Sequence, residues 1–160
     1  MSKNIVQAWR IVRGTHGSTV EAAFDGEGSR IFGGRWNMID TPAVYIADSR
    51  ALGLLELLVN TKDKFTLVDI HAYQVQIPAE LIEYLPDEDL PVGWDSLERQ
   101  SSSQLYGETW FQTSGVPVLR VPSVVVVGEY NYVLNPQHPK FKLLKLSKKL
   151  PLPIDPRLLR

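Results

Sequence analysis

Gly33-Gly34-Arg35-Trp36-Asn37, Pro42-Ala43-Val44-Tyr45-Ile46-Ala47 and Ser49-Arg50-Ala51-Leu52-Gly53-Leu54-Leu55-Glu56 follow one another closely, and the reading of the fold turns on them. The glycine pair marks a turn, and the apolar run 43–47 behind Pro42 is a buried strand. Asp48 or Ser49 then caps a helix, because either side chain offers an oxygen to the free N–H groups of a first turn. Leu52, Leu55, Leu58 and Val59, with Ala51, form its apolar stripe. Working outward, residues 7–12 read as a first strand, and 15–34, rich in glycine and small residues, as a loop with one helical turn at most. Residues 65–77 make a long β-type run closed by Pro78. Residues 96–113 read as a second helix, capped by Asp95 and burying Leu97, Leu105, Tyr106 and Trp110. The segment 116–127 is rich in β-branched residues but is interrupted by Pro122, which cannot donate to a ladder and marks an edge, a bulge or a break. Residues 131–134 and 141–146 add two more strands. The expected fold class is α+β, a compact single domain built on antiparallel sheet.

At 160 residues, 44% hydrophobic and 22% charged, the chain has one substantial core and no room for a second domain of similar size. The expected division is a domain over 1–149 and an extended C-terminal arm over 150–160, which holds three prolines. Without cysteine there are no disulfides and no thiolate zinc sites. His71 and His138 stand far apart with no ligand-spaced partner, so no metal is expected. Residues 1–6 lack the apolar core of a signal peptide and no window approaches 18 apolar residues, which predicts a cytoplasmic chain that does not enter a membrane. A formal net charge of -1 gives no global attraction for nucleic acid, and direct nucleic-acid binding is not expected. The local exception is Lys140, Lys142, Lys145, Lys148 and Lys149, with no acid between Asn131 and Ile154. It is either a solvated strand face or a docking face for an acidic partner.

Several residues carry candidate chemistry. The Arg35 guanidinium on its glycine turn suits two oxygens of a phosphate or diphosphate, although a turn arginine facing water fits the same pattern. Arg10, between Trp9 and Ile11, needs an anionic partner if buried, or is an outward-facing edge residue. Tyr45 and Trp36 are core aromatics or flat surfaces on which a heterocycle stacks. Glu56 is the lone carboxylate of the most apolar helix. At 100° per residue it lies beside Gly53 and Asn60, on the border of the stripe. There it either reaches water or stands in a partly dry cleft and stabilises a developing cation. Ser123 is a bend serine bonded to its own backbone or a donor to a ribose, phosphate or amide. Asn131 belongs to the strand that leads into the turn sequence Asn135-Pro136-Gln137-His138-Pro139. No Gly-x-Ser-x-Gly elbow surrounds Ser123, which argues against a hydrolase triad. Arginine, tyrosine and carboxylate together suit NAD, whose nicotinamide is already a cationic leaving group and needs no acid catalyst.

In order along the chain, Trp9-Arg10, Gly34-Arg35-Trp36-Asn37, Pro42 to Ala47, Ala51 to Glu56, Gly93-Trp94, Val121-Pro122-Ser123 and Asn131 to Pro136 with His138-Pro139 resemble the RES family. This is the toxin half of bacterial Xre-RES toxin-antitoxin pairs. The resemblance implies an ADP-ribosyltransferase-like fold and cleavage of the nicotinamide-ribose bond of NAD, as substrate rather than cofactor, with water or phosphate as acceptor. It implies catalytic roles for Arg35, Tyr45 and Glu56, and NAD-binding roles for Arg10, Trp36, Ser123 and Asn131. It also implies an Xre-type antitoxin covering the NAD cleft, with room for a homodimer within the toxin-antitoxin complex. Two other functions stay open: transfer of ADP-ribose onto a protein, and a silent nucleotide- or peptide-binding module, for which the carboxylate would be needless.

Overall fold

The computed structural model describes residues 4–98 and 101–160. The chain opens with β1 (Ile5–Arg13) and continues through three short helices, α1 (Gly14–Gly17), α2 (Val20–Ala23) and α3 (Glu27–Phe32). These replace the expected loop, and local side-chain contacts, a cap in one and an ion pair in the other, account for two of them. Thr19 Oγ1 accepts from Ala22 N at 3.1 Å to start α2, and Glu27 pairs with Arg30 across one turn of α3 at 2.6 Å. Then come β2 (Val44–Ala47) and α4 (Arg50–Val59), where the sequence places them. Ser49 is the cap, accepting from Leu52 N at 3.0 Å, while Asp48 instead accepts from the Tyr132 hydroxyl at 2.8 Å.

The buried face of α4 differs from the expected stripe. Leu52, Gly53 and Leu58 are buried, Leu54 and Leu57 pack beside them, and Leu55, Val59 and Ala51 are exposed. Leucines surround this helix, so their periodicity leaves its roll open. Gly53 sets it, because a Cβ there would stand 2.5 Å from Ile11 Cγ1, and its absence lets α4 lie directly on β1.

β3 (Ile70–Pro78) begins later than residue 65, since Lys64–Thr66 forms a 3-10 turn and Asp69 takes a left-handed φ of 56°. After β4 (Ile82–Tyr84) comes α5 (Ser101–Thr113). Asp95 and Ser96, the expected start of this helix, lie outside it, while residues 99 and 100 fall outside the described chain. Leu97 and Leu105 are exposed; Ser103, Gly107 and Trp110 form the buried face. The physical reason is visible at Trp94 and Ser96, whose carbonyls accept from Arg35 rather than from a following helical turn. β5 (Val118–Pro122) stops at its proline and leaves the valines behind it in a turn, and β6 (Tyr130–Leu134) follows. Of the run expected over 141–146, Phe141–Leu143 is a 3-10 turn, and only β7 (Lys145–Leu146) is strand. The chain then forms β8 (Leu150–Pro151).

The strands form one sheet in the order β4-β5-β6-β2-β1-β3-β7, with β8 also on β3. Every pairing is antiparallel except β4 with β5. β1 pairs with β3 from Ile5–Pro78 to Arg13–Ile70, yet meets β2 at the single register pair Trp9–Ala47. Two ladders therefore part on either side of that pair. The pleat sorts the core: Val44 and Ile46 join Ala8, Val12, Tyr73 and Val75, whereas Tyr45 and Val133 turn to Trp36 and Trp110. A third cluster gathers Ile11, Leu58, Leu67, Ile70 and Ala72 beneath α4, packed by Leu152, Ile154 and Leu159 from the C-terminal segment. The five lysines from Lys140 to Lys149 are all exposed around edge strand β7, as lysines that discourage strand addition would be. No helix among the described residues is long and apolar enough to cross a membrane.

Candidate active site

A cleft of 360 Å³ opens where β1 and β2 part. α4 turns Gly53, Glu56, Leu57 and Asn60 into it, the i, i+3, i+4, i+7 face of a helix. Opposite stand Trp9 and Ile11 of β1, the loop from Gly33 to Trp36, and Tyr45 of β2, with Asn131 of β6 beside them.

The glycine loop is held from beneath. Asn37 is fully buried, and its Nδ2 donates to the carbonyls of Ser29, Thr41 and Met38 at 2.9, 3.0 and 3.1 Å. Its Oδ1 accepts from the Tyr45 hydroxyl at 2.7 Å, which in turn accepts from Trp36 N at 3.0 Å. Gln104 of α5 donates to the Gly34 carbonyl at 2.9 Å. Gly34 permits this closure, since a Cβ there would lie 2.6 Å from the Tyr45 hydroxyl oxygen. Tyr45 thus carries two roles at once, packing in the core and fixing the loop, while its ring lines the cleft.

The loop presents Arg35 to the cleft. Its Nη1 donates to the carbonyls of Trp94 at 2.6 Å and Ser96 at 2.9 Å, which fixes the plane of the guanidinium. Trp36 is buried, stacked on Trp94 at 6.3 Å and 28° and edge-on to Tyr106 at 6.0 Å. It therefore supports the cleft wall more than it faces a ligand. Arg10 resolves neither as an ion pair nor as an outward edge residue. Nε donates to the Ala23 carbonyl at 3.0 Å and Nη1 to that of Tyr45 at 3.1 Å, across the gap between the parting strands. Burial lowers its pKa to about 10, with the field of Asp25 acting the other way. The group stays protonated at neutral pH, so a cationic fork stands in the cleft wall.

Glu56 is braced by two donors. Ser123 Oγ donates to its Oε1 at 2.8 Å and Asn131 Nδ2 to the same atom at 2.7 Å. Ser123 Oγ also accepts from Val125 N at 3.0 Å and Val126 N at 3.1 Å, so its one proton is committed to the carboxylate. This serine is the bend serine bonded to its own backbone, and with its proton directed at Glu56 it has none left to donate to a ribose, phosphate or amide. Unlike Asn131, it is not part of the cleft wall, and it acts on Glu56. Fixing one oxygen by two hydrogen bonds orients the carboxylate.

Arg10, Arg35, Trp36, Tyr45, Glu56 and Asn131 thus share one cleft, with Ser123 immediately behind it. Asn37, Gln104 and Trp9 belong to the arrangement without having been assigned a role from sequence. Asn37 and Gln104 carry no signal of spacing or composition, because both act through hydrogen bonds to the glycine loop and its surroundings that only the folded chain brings together. Among the described residues no cluster of three or more metal-ligating side chains occurs.

A family model described as RES domain matches residues 7–155. "Toxin Res" of Photorhabdus laumondii is 36% identical over 151 residues, 94% of this chain and 97% of its own length. The "Prs ADP-ribosylating toxin" of Sphingobium sp. is 36% identical over 156 residues, 95% of this chain and 96% of its own. The crystal structure of the M. tuberculosis MbcT-MbcA toxin-antitoxin complex contains a chain that superposes with a TM-score of 0.70 at 23% identity, covering 94% of this chain and 85% of that one. The shared architecture is the ADP-ribosyltransferase-like fold. With the family model spanning nearly the whole sequence and relatives above 30% identity matched almost end to end, this chain belongs to the RES domain family and is a toxin of that family.

Proposed function

We propose that this toxin cleaves the nicotinamide-ribose bond of NAD and depletes the cell of it. The observation that carries the proposal is Glu56, held by Ser123 and Asn131 in the same cleft as Arg35 and Tyr45. When the bond from ribose C1′ to the pyridinium nitrogen breaks, its electron pair stays with nitrogen and nicotinamide leaves neutral. Positive charge develops on C1′ and the ring oxygen, where a fixed carboxylate stabilises it more than it stabilises the ground state. The oxygen of water or phosphate then bonds C1′, and a proton is released when water is the acceptor. Arg35 and Arg10 serve the diphosphate, and Tyr45 the nicotinamide ring. A silent binding module has no use for a carboxylate braced in this way.

A second reading, ADP-ribosylation of a protein, draws support from the name of the Sphingobium relative. The two share every step up to the acceptor. Incubating purified protein with NAD, with and without a cell extract, separates them. ADP-ribose or ADP-ribose phosphate marks the small acceptors, and a mass gain on a protein marks transfer. Failure to release nicotinamide under both conditions would overturn both. The partner we propose is an Xre-type antitoxin that covers the cleft, in line with a structural neighbour solved together with its antitoxin. Co-expression should restore growth, and a complex with the cleft open would refute blockade.

A further inference from the structure

We infer that Trp9 and Arg50 form a separate subsite of the cleft, one that takes a neutral purine ring and so recognises the adenine end of the dinucleotide. The inference rests on the NAD reading above and extends it to a part of the substrate that takes no part in the chemistry. Three observations carry it. Trp9 is half-buried and lines the cleft. The exposed guanidinium of Arg50, in the first turn of α4, lies over the indole with its carbon 4.9 Å from the ring centroid. Arg50 has no ion pair or hydrogen bond among the described residues, so nothing but the aromatic face holds it there.

The register gives the spacing. Trp9 pairs with Ala47, and Ala47 pairs with Asn131, whose side chain holds Glu56. The indole therefore stands two strands away from the carboxylate's anchor, roughly 10 Å at ordinary strand spacing. Ala47 between them is small and leaves the floor of the cleft open. Glu56 marks where the glycosidic bond breaks, so an aromatic plate at this remove serves the other end of a dinucleotide. Charge decides which heterocycle it takes. A guanidinium over the plate repels a pyridinium cation, whereas an electron-rich, uncharged purine stacks well on indole and arginine alike. The present 4.9 Å gap is too narrow for an inserted ring, which needs about 7 Å, two contact distances of about 3.5 Å. Arg50 is exposed and free to lift and close over the purine, giving an indole-purine-guanidinium sandwich.

Nicotinamide release from NAD and from nicotinamide mononucleotide, which has the same scissile bond and no purine, tests the inference. For Trp9→Ala the ratio of kcat/KM for NAD to that for the mononucleotide should fall about tenfold, mainly through KM for NAD. Trp9→Phe should restore most of the ratio, and Arg50→Ala should lower it about threefold. Equal loss on both substrates would mean that Trp9 only supports the fold, and an unchanged ratio would place the purine elsewhere; either overturns the inference. If Trp9→Ala does not fold, Trp9→Phe and the exposed Arg50→Ala decide. If the wild-type protein cleaves neither substrate, the NAD reading itself fails. Calorimetric titration with AMP then decides the subsite alone, tight binding weakened by Arg50→Ala sustaining it and absent binding overturning it.

Discussion

Glu56 sits at the border of an apolar helix, where periodicity alone favours an ordinary solvent-facing glutamate over a functional one. The two donors on its Oε1 support the functional reading proposed above, since a carboxylate that merely reaches water has no need of a serine whose only proton is committed to it. Glu56→Gln keeps size and most hydrogen bonding and removes the charge. We expect NAD still to bind while kcat falls on the order of 100-fold or more, the value of comparable electrostatic groups. Ser123→Ala should lower kcat by a smaller factor, about tenfold, with KM nearly unchanged, because it loosens the carboxylate without removing it. Steady-state kinetics on the two variants check this. A fully active Glu56→Gln protein would remove the carboxylate from the mechanism.

At the scale of elements, the cleft depends on how closely α4 approaches β1. Gly53 makes that approach possible, as a Cβ would meet Ile11 Cγ1 at 2.5 Å. In an isolated helix Gly53→Ala would stabilise by up to about 1 kcal/mol. Here overpacking against β1 should reverse the sign and destabilise by about 1–3 kcal/mol. Urea unfolding reads the sign directly, and a stabilised variant would mean that α4 does not rest on β1 as described. The same contact explains what the sequence could and could not convey. Pro42 to Ala47 and the Ser49 cap were legible because strand alternation and capping are local. The roll of α4 was not, because leucines on several sides give its stripe no unique centre and the deciding contact is with Ile11, far away in sequence. The start of α5 escaped for a related reason: the carbonyls of Trp94 and Ser96 are taken by Arg35, a partner that no local pattern announces. Arg35, Tyr45 and Glu56 were legible as residue types, and as one site only through the ordered family resemblance, since their convergence requires two ladders that part at Trp9–Ala47.

For the whole molecule, the support beneath α4 comes from both ends of the chain. Ile11 of β1 and Leu58 of α4 share a cluster with Ile70 and Ala72 of β3, and its outer side is closed by Leu152, Ile154 and Leu159. The C-terminal segment is tied to the sheet as well as packed against it, through the register pairs Ala72–Leu150 and His71–Pro151 and the Leu152 N–H donating to the Ile70 carbonyl at 2.9 Å. Ending the chain after Lys149 would therefore expose the underside of α4. Three partly buried apolar side chains, each contributing somewhat less than a fully buried one, give an expected loss of about 2–4 kcal/mol. Because α4 carries Glu56, NAD turnover should fall in the truncated protein even at temperatures where it stays folded. Leu152→Ala with Leu159→Ala in the full-length chain should reproduce part of both losses. Unfolding midpoints in urea, set beside NAD turnover for the two proteins, check the claim. If truncation shifts stability by less than about 0.5 kcal/mol, the change ordinary for a surface substitution, then residues 150–160 are an arm laid over a domain that is complete without them.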